Sequence, residues 1–165
     1  MEAPAVSVAT TESRTSRGVS GPILVGGAFL LSTVVNVCFH LGEILFTDND
    51  PHRPEGPVES IVSITVVGVA GLIIALAVAL PLVKNPARAG IGAIVLGALA
   101  LVSVPFFWSG APAVFGASAA WLAGLTKGGR PQTGAARGFG IIGFVVAVLI
   151  VVVTFVGFVT AALLR

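Results

Sequence analysis

The sequence has 165 residues, of which 56% are hydrophobic and 10% are charged, and its mean hydropathy is +1.05. Soluble domains carry about 25% charged residues, so this composition excludes an ordinary soluble protein and predicts an integral membrane protein. The formal net charge is only +2 and the basic residues are dispersed through predicted loops, which excludes nucleic acid as a partner. The single cysteine, Cys38, excludes an intrachain disulfide.

The N-terminal segment, residues 1–21, is polar and rich in Ser and Thr. It predicts a disordered cytoplasmic tail in front of a transmembrane helical domain that comprises residues 22–165. The apolar run after this tail is longer than the apolar core of a secretory signal, and no small-residue cleavage site ends it. We therefore expect an uncleaved first transmembrane helix.

Five apolar stretches follow the tail, at about residues 22–46, 58–83, 88–109, 111–126 and 138–164. A helix needs about 20 residues to cross the hydrocarbon core of a bilayer, and only the fourth stretch falls short of that length. The predicted fold class is an all-α integral membrane protein, a compact bundle of five transmembrane helices. The alternative is a bundle of four, in which the fourth stretch continues a kinked third helix. A re-entrant fourth segment is also open.

The loop charges favour five spans with the N-terminus inside the cell. Under that topology the cytoplasmic segments hold seven basic residues and the outside segments hold two. The cytoplasmic residues are Arg14, Arg17, Lys84, Arg88, Lys127, Arg130 and Arg137, and the outside ones are Arg53 and Arg165. Four spans would move three of the cytoplasmic residues outside and remove the asymmetry that the positive-inside rule requires.

Small residues recur at every fourth position on three of the predicted helices. The three sets are Gly71, Ala75 and Ala79; Ala89, Ala93 and Gly97; and Gly116, Ala120 and Gly124. This spacing lets helix backbones approach closely in a membrane. It predicts tight packing, little room for a wide pore, and association with other membrane protein subunits or with a second copy of the chain.

Polar residues interrupt the first apolar stretch at helical spacing: Ser32, Asn36, His40, Glu43 and Thr47. At 100° per residue these five residues, the polar stripe, lie within an arc of about 80° on one face of a helix. Polar side chains are costly in hydrocarbon and usually turn to the bundle interior. Only Asn36 and His40 lie deep, about 3 Å and 9 Å from the predicted midplane, and Glu43 comes close to the outer interface.

Two interpretations of the polar stripe are open. In the structural one, Asn36 and His40 bond to Ser and Thr side chains of neighbouring helices and fix the packing. In the functional one, His40 and Glu43, spaced i and i+3, bind a cation or pass protons. Further hydroxyl side chains fall in the outer halves of their predicted helices, which favours either an internal hydrogen-bond network or a small wet vestibule. These residues are Ser60, Ser63, Thr65, Ser103, Thr154 and Thr160.

The first predicted outside loop is acidic and rich in proline. Its residues Asp48, Asp50, His52 and Glu55 are candidate ligands of a divalent metal ion, because hard cations favour carboxylate oxygens. The alternative interpretation is a plain connector between two helices, and the sequence alone does not identify a metal.

No catalytic set stands out in the sequence. All seven carboxylates lie between Glu2 and Glu59, and no HExxH, CxxC or nucleophile-elbow pattern occurs. Residues 138–143 match the dinucleotide fingerprint GxGxxG, but that fingerprint works only at a strand-to-helix turn, and an apolar helix is predicted here. We expect neither an enzyme nor a bound cofactor.

The second half of the chain carries a basic loop, the proline-aromatic turn Val104-Pro105-Phe106-Phe107-Trp108 and a short small-residue span from Gly116 to Gly124. In these features it resembles small multi-pass membrane proteins of unknown function that are common in actinobacteria. The resemblance implies a multi-pass protein of the bacterial inner membrane. It transfers no functional residues, because that group has no established site.

These observations predict a small non-catalytic membrane protein that serves as an accessory or scaffold element of a membrane complex or homo-oligomer. Its expected surroundings are the lipid bilayer and other membrane subunits. The alternative is a transporter-like protein that moves a proton or small cation through the polar stripe.

Overall fold

The structure, a computed structural model, describes residues 18–46 and 57–163. Within these residues the chain forms helices and one isolated parallel β-bridge, between Ser20 and Lys127. In chain order the elements are α1 (Gly21–Phe29), a π-helical turn (Leu30–Val34), α2 (Val35–Phe46), α3 (Pro57–Leu82), α4 (Pro86–Val102), a 3₁₀ turn (Val104–Ser109), α5 (Ala111–Leu122) and α6 (Gly134–Leu163). The α1 helix, the π turn and α2 follow one another without interruption and are called the first helix below.

Among the described residues, three helices are long and apolar enough to cross a membrane: Gly21–Leu45, Val58–Leu82 and Gly134–Leu163. The shortest of these have 25 residues, or about 38 Å at 1.5 Å per residue, against about 30 Å of hydrocarbon. In the most apolar window of each helix only 22% to 28% of the residues are buried. Their outer faces therefore present apolar side chains, such as Leu45 with 72% exposure. The predicted all-helical class and the apolar helices are confirmed.

The α4 and α5 helices are shorter, with 17 and 12 residues. They form a hairpin, as the contact between Gly92 in the first half of α4 and Leu122 at the end of α5 shows. The chain therefore reverses at Gly110 and does not continue as one kinked helix. Two of the five predicted spans correspond to this hairpin rather than to helices of spanning length.

The α5 helix is the centre of the bundle. All twelve of its residues are buried, and it packs against the first helix, α3, α4 and α6. Seven of its positions hold Ala, Gly or Ser, so four neighbours can approach its backbone at once. A helix that is apolar on every side belongs in the interior, and α5 fills the space that the longer helices enclose.

Glycine sets the distance between α5 and α6. A Cβ at Gly116 would collide with the carbonyl oxygen of Gly143, and a Cβ at Gly140 would collide with the Cβ of Ala123. Two of the three glycines in the GxGxxG pattern are thus helix-packing residues inside α6, whereas Gly138 faces open space. This contact explains the pattern without a nucleotide. The small-residue sets predicted on α3 and α4 are also buried.

The two ends of the bundle differ in charge. The described basic side chains are exposed and lie at one end, called the basic end below: Lys84, Arg88, Lys127, Arg130 and Arg137. Main-chain hydrogen bonds tie this end together: the Lys127 amide donates to the carbonyl oxygen of Val19 at 3.0 Å, and the Gly21 amide donates to that of Lys127 at 3.0 Å. The described carboxylates, Glu43 and Glu59, belong to the opposite end.

Candidate functional site

The turn between α4 and α5, called the hairpin apex below, comprises the 3₁₀ turn and Gly110. Pro105 near its start has no N–H to continue the ladder of α4. Gly110 then takes a left-handed conformation with φ of 77°, which ends the 3₁₀ turn and starts α5. A Cβ at Gly110 would collide with the hydroxyl oxygens of Ser32 and Thr33. The first helix therefore lies directly against this turn, and only glycine fits there.

The hairpin apex leaves two main-chain carbonyls without a donor from the following residues. The 3₁₀ pattern would pair Trp108 O with the amide of Ala111 and Ser109 O with that of residue 112. The Ala111 amide instead donates to Ser109 Oγ at 3.2 Å, and residue 112 is Pro112, which has no N–H. Both carbonyls thus need donors from another element, because backbone groups left unpaired away from water are costly.

The first helix supplies those donors. Asn36 Nδ2 donates to Trp108 O, and Thr33 Oγ1 donates to Ser109 O at 2.8 Å. Ser32 Oγ donates to Ala28 O in its own helix at 2.5 Å and lies 3.5 Å from Gly110 O. The polar stripe is therefore, at its deep end, a cap for the hairpin apex.

This arrangement corrects the structural interpretation of Asn36. Its partner is a main-chain carbonyl of the hairpin apex, and not a Ser or Thr side chain on a neighbouring helix. A carbonyl left by a broken turn accepts a hydrogen bond wherever an amide side chain reaches it. No residue pattern indicates this partner, because a pattern of polar side chains contains no information on main-chain acceptors.

Sequence reasoning also missed Thr33. At a regular 100° per residue, Thr33 falls well to one side of Ser32, outside the tightest part of the polar stripe. The π turn at Leu30–Val34 widens the helix locally, and the adjacent Ser32 and Thr33 are both buried, with 1% and 2% exposure. Two hydroxyl residues in succession thus face the hairpin apex.

The α3 helix completes the contact at the hairpin apex. A Cβ at Gly68 would lie 2.5 Å from Thr33 Cγ2 and 2.7 Å from Ser109 O. One turn earlier, Ile64 is buried with 3% exposure. The first helix, α3 and the start of α5 therefore meet at one point, with the Thr33 side chain between them.

Two pockets lie beyond the hairpin apex, on the side away from the basic end. One, of about 360 Å³, is lined by Asn36, His40, Trp108 and Thr154 among apolar residues of the first helix and α6. The other, of about 350 Å³, is lined by His40, Trp108, Ile64 and two serines of α3. The serines are Ser60 and Ser63. His40 and Trp108 border both pockets, so the two cavities flank one histidine.

His40 pairs with Glu43 one turn further along the first helix. Nδ1 of His40 and Oε2 of Glu43 lie 3.0 Å apart, with 25% and 9% of the two side chains exposed. The Phe39 ring packs edge-on against the imidazole, with 5.7 Å between ring centres. The pair places an imidazole and a largely covered carboxylate at the wall of a pocket, where they could exchange a proton with a small molecule.

The other hydroxyl residues predicted in the outer halves divide into two groups. Ser60, Ser63 and Thr154 line the pockets, although Thr154 Oγ1 donates to Ile150 O of its own helix at 2.9 Å. Ser103 bonds back to Leu99 O at 2.6 Å. Thr65 and Thr160 are exposed on the outside of their helices. The polar side chains thus form hydrogen bonds at the hairpin apex, and others line the two pockets beyond it.

The metal prediction falls outside the described residues, as do Asp48, Asp50, His52, Glu55 and the last residue of the polar stripe, Thr47. Among residues 18–46 and 57–163 no three His, Cys, Asp or Glu side chains come together to hold a metal ion.

Comparisons with known proteins found no matching family model, no matching curated protein and no matching solved structure. The resemblance to small actinobacterial membrane proteins therefore stays a prediction.

We expect Thr33→Val to destabilise the protein while preserving side-chain shape, because Ser109 O then loses its donor. Side-chain hydrogen bonds in membrane proteins contribute about 0.6 kcal/mol on average and about 1.7 kcal/mol at most. The measurement is the free energy of unfolding in mixed micelles, followed by tryptophan fluorescence. Thr154→Val is the matched control: its hydroxyl bonds only within α6, so a smaller loss is expected. Equal losses in both variants would contradict the capping role of Thr33.

Proposed function

We propose that the chain is a multi-pass protein of the bacterial inner membrane, in which the first helix, α3 and α6 cross the bilayer. The α4–α5 hairpin enters and leaves from one side and supplies the third and fourth of five membrane segments. The apolar outer faces of the three long helices support this placement. The exposed cations of the basic end support a cytoplasmic location for that end and for the N-terminus.

Single cysteines test this orientation. In a Cys38→Ser background, we expect Glu59→Cys to react with a membrane-impermeant maleimide added to intact cells. Lys127→Cys should react only after the membrane is opened, because the two residues belong to opposite ends of the bundle. Labelling of Lys127→Cys in intact cells, or equal labelling of both variants, would overturn the proposed topology.

Within the membrane, the protein serves as a non-catalytic accessory or scaffold element of a complex or homo-oligomer. The observation that carries this proposal is that the polar side chains of Thr33 and Asn36 donate hydrogen bonds to the hairpin apex. Such caps stabilise one backbone arrangement and leave those donors unavailable for chemistry. Below the apex, the interior is the fully buried α5, which suits a rigid element more than a conduit.

Transport of a proton or small cation is the alternative role, and the His40–Glu43 pair beside the pockets is what favours it. The argument against transport is that no matching acidic residue is described in the half of the bundle nearer the basic end. Of the described residues, both carboxylates, Glu43 and Glu59, belong to the end away from the basic residues. A path that crosses the bilayer would need polar groups past α5, where every side chain is packed.

The accessory role predicts that the full chain, extracted in mild detergent from its own membrane, elutes as an assembly larger than one chain. Crosslinking before extraction should give the same partners or copies. Two results would contradict it: a clean monomer in both experiments, or proton flux into reconstituted vesicles that His40→Ala and Glu43→Gln abolish. Glu59→Gln is the matched control for the flux measurement, because Glu59 borders neither pocket beside His40.

A further inference from the structure

A groove, called the lateral groove below, runs between the first helix and α6. It has a volume of about 290 Å³ and is lined by twelve residues, all of them Val, Ile, Leu, Gly, Ala or Phe. On the first helix it extends from Val19, just before α1, to Leu31, and on α6 it includes Phe144 and Val148. Ala117 of α5 forms its floor. Ala117 is itself fully buried, so the groove is a surface channel between the two long helices that ends on α5.

The lateral groove has the length of one leaflet. From Val19 to Leu31 a helix rises about 18 Å, and half of the hydrocarbon core measures about 15 Å. Leu31 stands next to Ser32, at the level of the hairpin apex. The groove therefore runs from the basic end to the middle of the bundle and stops there.

The shape of the lateral groove selects a hydrocarbon chain. A helix with its side chains is about 10 Å across. A groove of 290 Å³ that extends about 18 Å is far too narrow to hold a helix. One extended acyl chain fits, and every lining residue suits it. An acyl chain in this groove would be stabilised by dispersion contacts with the apolar side chains that line it.

Two exposed basic residues, Lys127 and Arg137, lie near the end of the lateral groove that faces the basic end. The main chain of Lys127 bonds to Val19, the groove residue nearest that end, and the Lys127 side chain is exposed. Arg137 stands seven residues before Phe144 on α6. Seven residues are two turns, so Arg137 lies on the face that lines the groove, about 10 Å closer to the basic end. A negative headgroup at the mouth would meet a cation on each side.

We propose that the lateral groove binds an anionic phospholipid, with one acyl chain along α5 and the phosphate between Lys127 and Arg137. Basic pockets between membrane helices hold acidic lipid headgroups by charge, and the apolar groove fixes the tail. The bound lipid would fill the space between the first helix and α6. This inference needs the protein to be embedded in lipid, and it does not depend on which end is cytoplasmic.

Neighbouring glycines provide a matched test of the tail site. Gly27 lines the lateral groove and Gly26 does not, and a Cβ at either residue meets no atom within 4 Å. Native mass spectrometry of the full chain, loaded from phosphatidylglycerol or phosphatidylcholine micelles, should show phosphatidylglycerol retained by the wild type and by Gly26→Phe. Gly27→Phe fills the groove and should lower retention about 10-fold or more, at an unchanged unfolding temperature.

The headgroup site has its own variants, which keep the proposal testable if Gly27→Phe fails to fold. Lys127→Gln and Arg137→Gln should each lower the preference for phosphatidylglycerol over phosphatidylcholine about 5-fold, since one cation near an anionic surface contributes about 1 kcal/mol. Lys84→Gln, in the turn between α3 and α4, should leave the preference unchanged. Equal retention of the two lipids by the wild type would overturn the proposal. So would a Gly27→Phe variant that keeps its lipid, or one that instead loses a bound second copy of the chain.

Discussion

The fold depends on two main-chain carbonyls at the hairpin apex, those of Trp108 and Ser109. Breaking a helix inside a bundle exposes carbonyls that lipid cannot satisfy, and here Ser109 Oγ and Pro112 remove the donors that the next turn would have offered. Asn36 and Thr33 replace those donors from the first helix. The chain can then reverse in the middle of the bundle, and the short α5 can occupy its centre.

The two pockets beside His40 and the lateral groove all follow from the short hairpin. Because the three long helices continue past the hairpin apex, the space beyond it is incompletely filled, and the pockets on either side of His40 lie there. On the basic side of the apex α5 occupies the centre, but it is narrow, with small side chains on most turns. The first helix and α6 cover it but do not fill the space between their own outer side chains, which leaves the lateral groove.

Much of the helical architecture could be predicted from apolar length, and the predicted stretch 22–46 coincides closely with the first helix, Gly21–Phe46. The fourth stretch was recognisable as short, and its small residues indicated close packing. Its burial on every side was not predicted, because a run of Ala and Gly shows no apolar face that distinguishes interior from lipid. The polar stripe predicts that Asn36 turns toward the bundle, and its side chain does contact the hairpin apex, yet its partner is backbone, which no residue pattern reveals. The contact of Thr33 with the hairpin apex was not predicted, because a π turn breaks the regular 100° spacing.

The hydrogen bond from Asn36 to the Trp108 carbonyl can be observed directly by infrared spectroscopy. The chain has two tryptophans, so ¹³C in the tryptophan carbonyls labels Trp108 and Trp121, and the latter accepts from Gly124 N at 3.0 Å and serves as an internal reference. Removing a donor from a carbonyl raises its stretching frequency. Asn36→Leu should therefore shift one of the two labelled bands upward and leave the other in place. Two unshifted bands would show that Asn36 does not donate to Trp108 O and does not hold the hairpin apex.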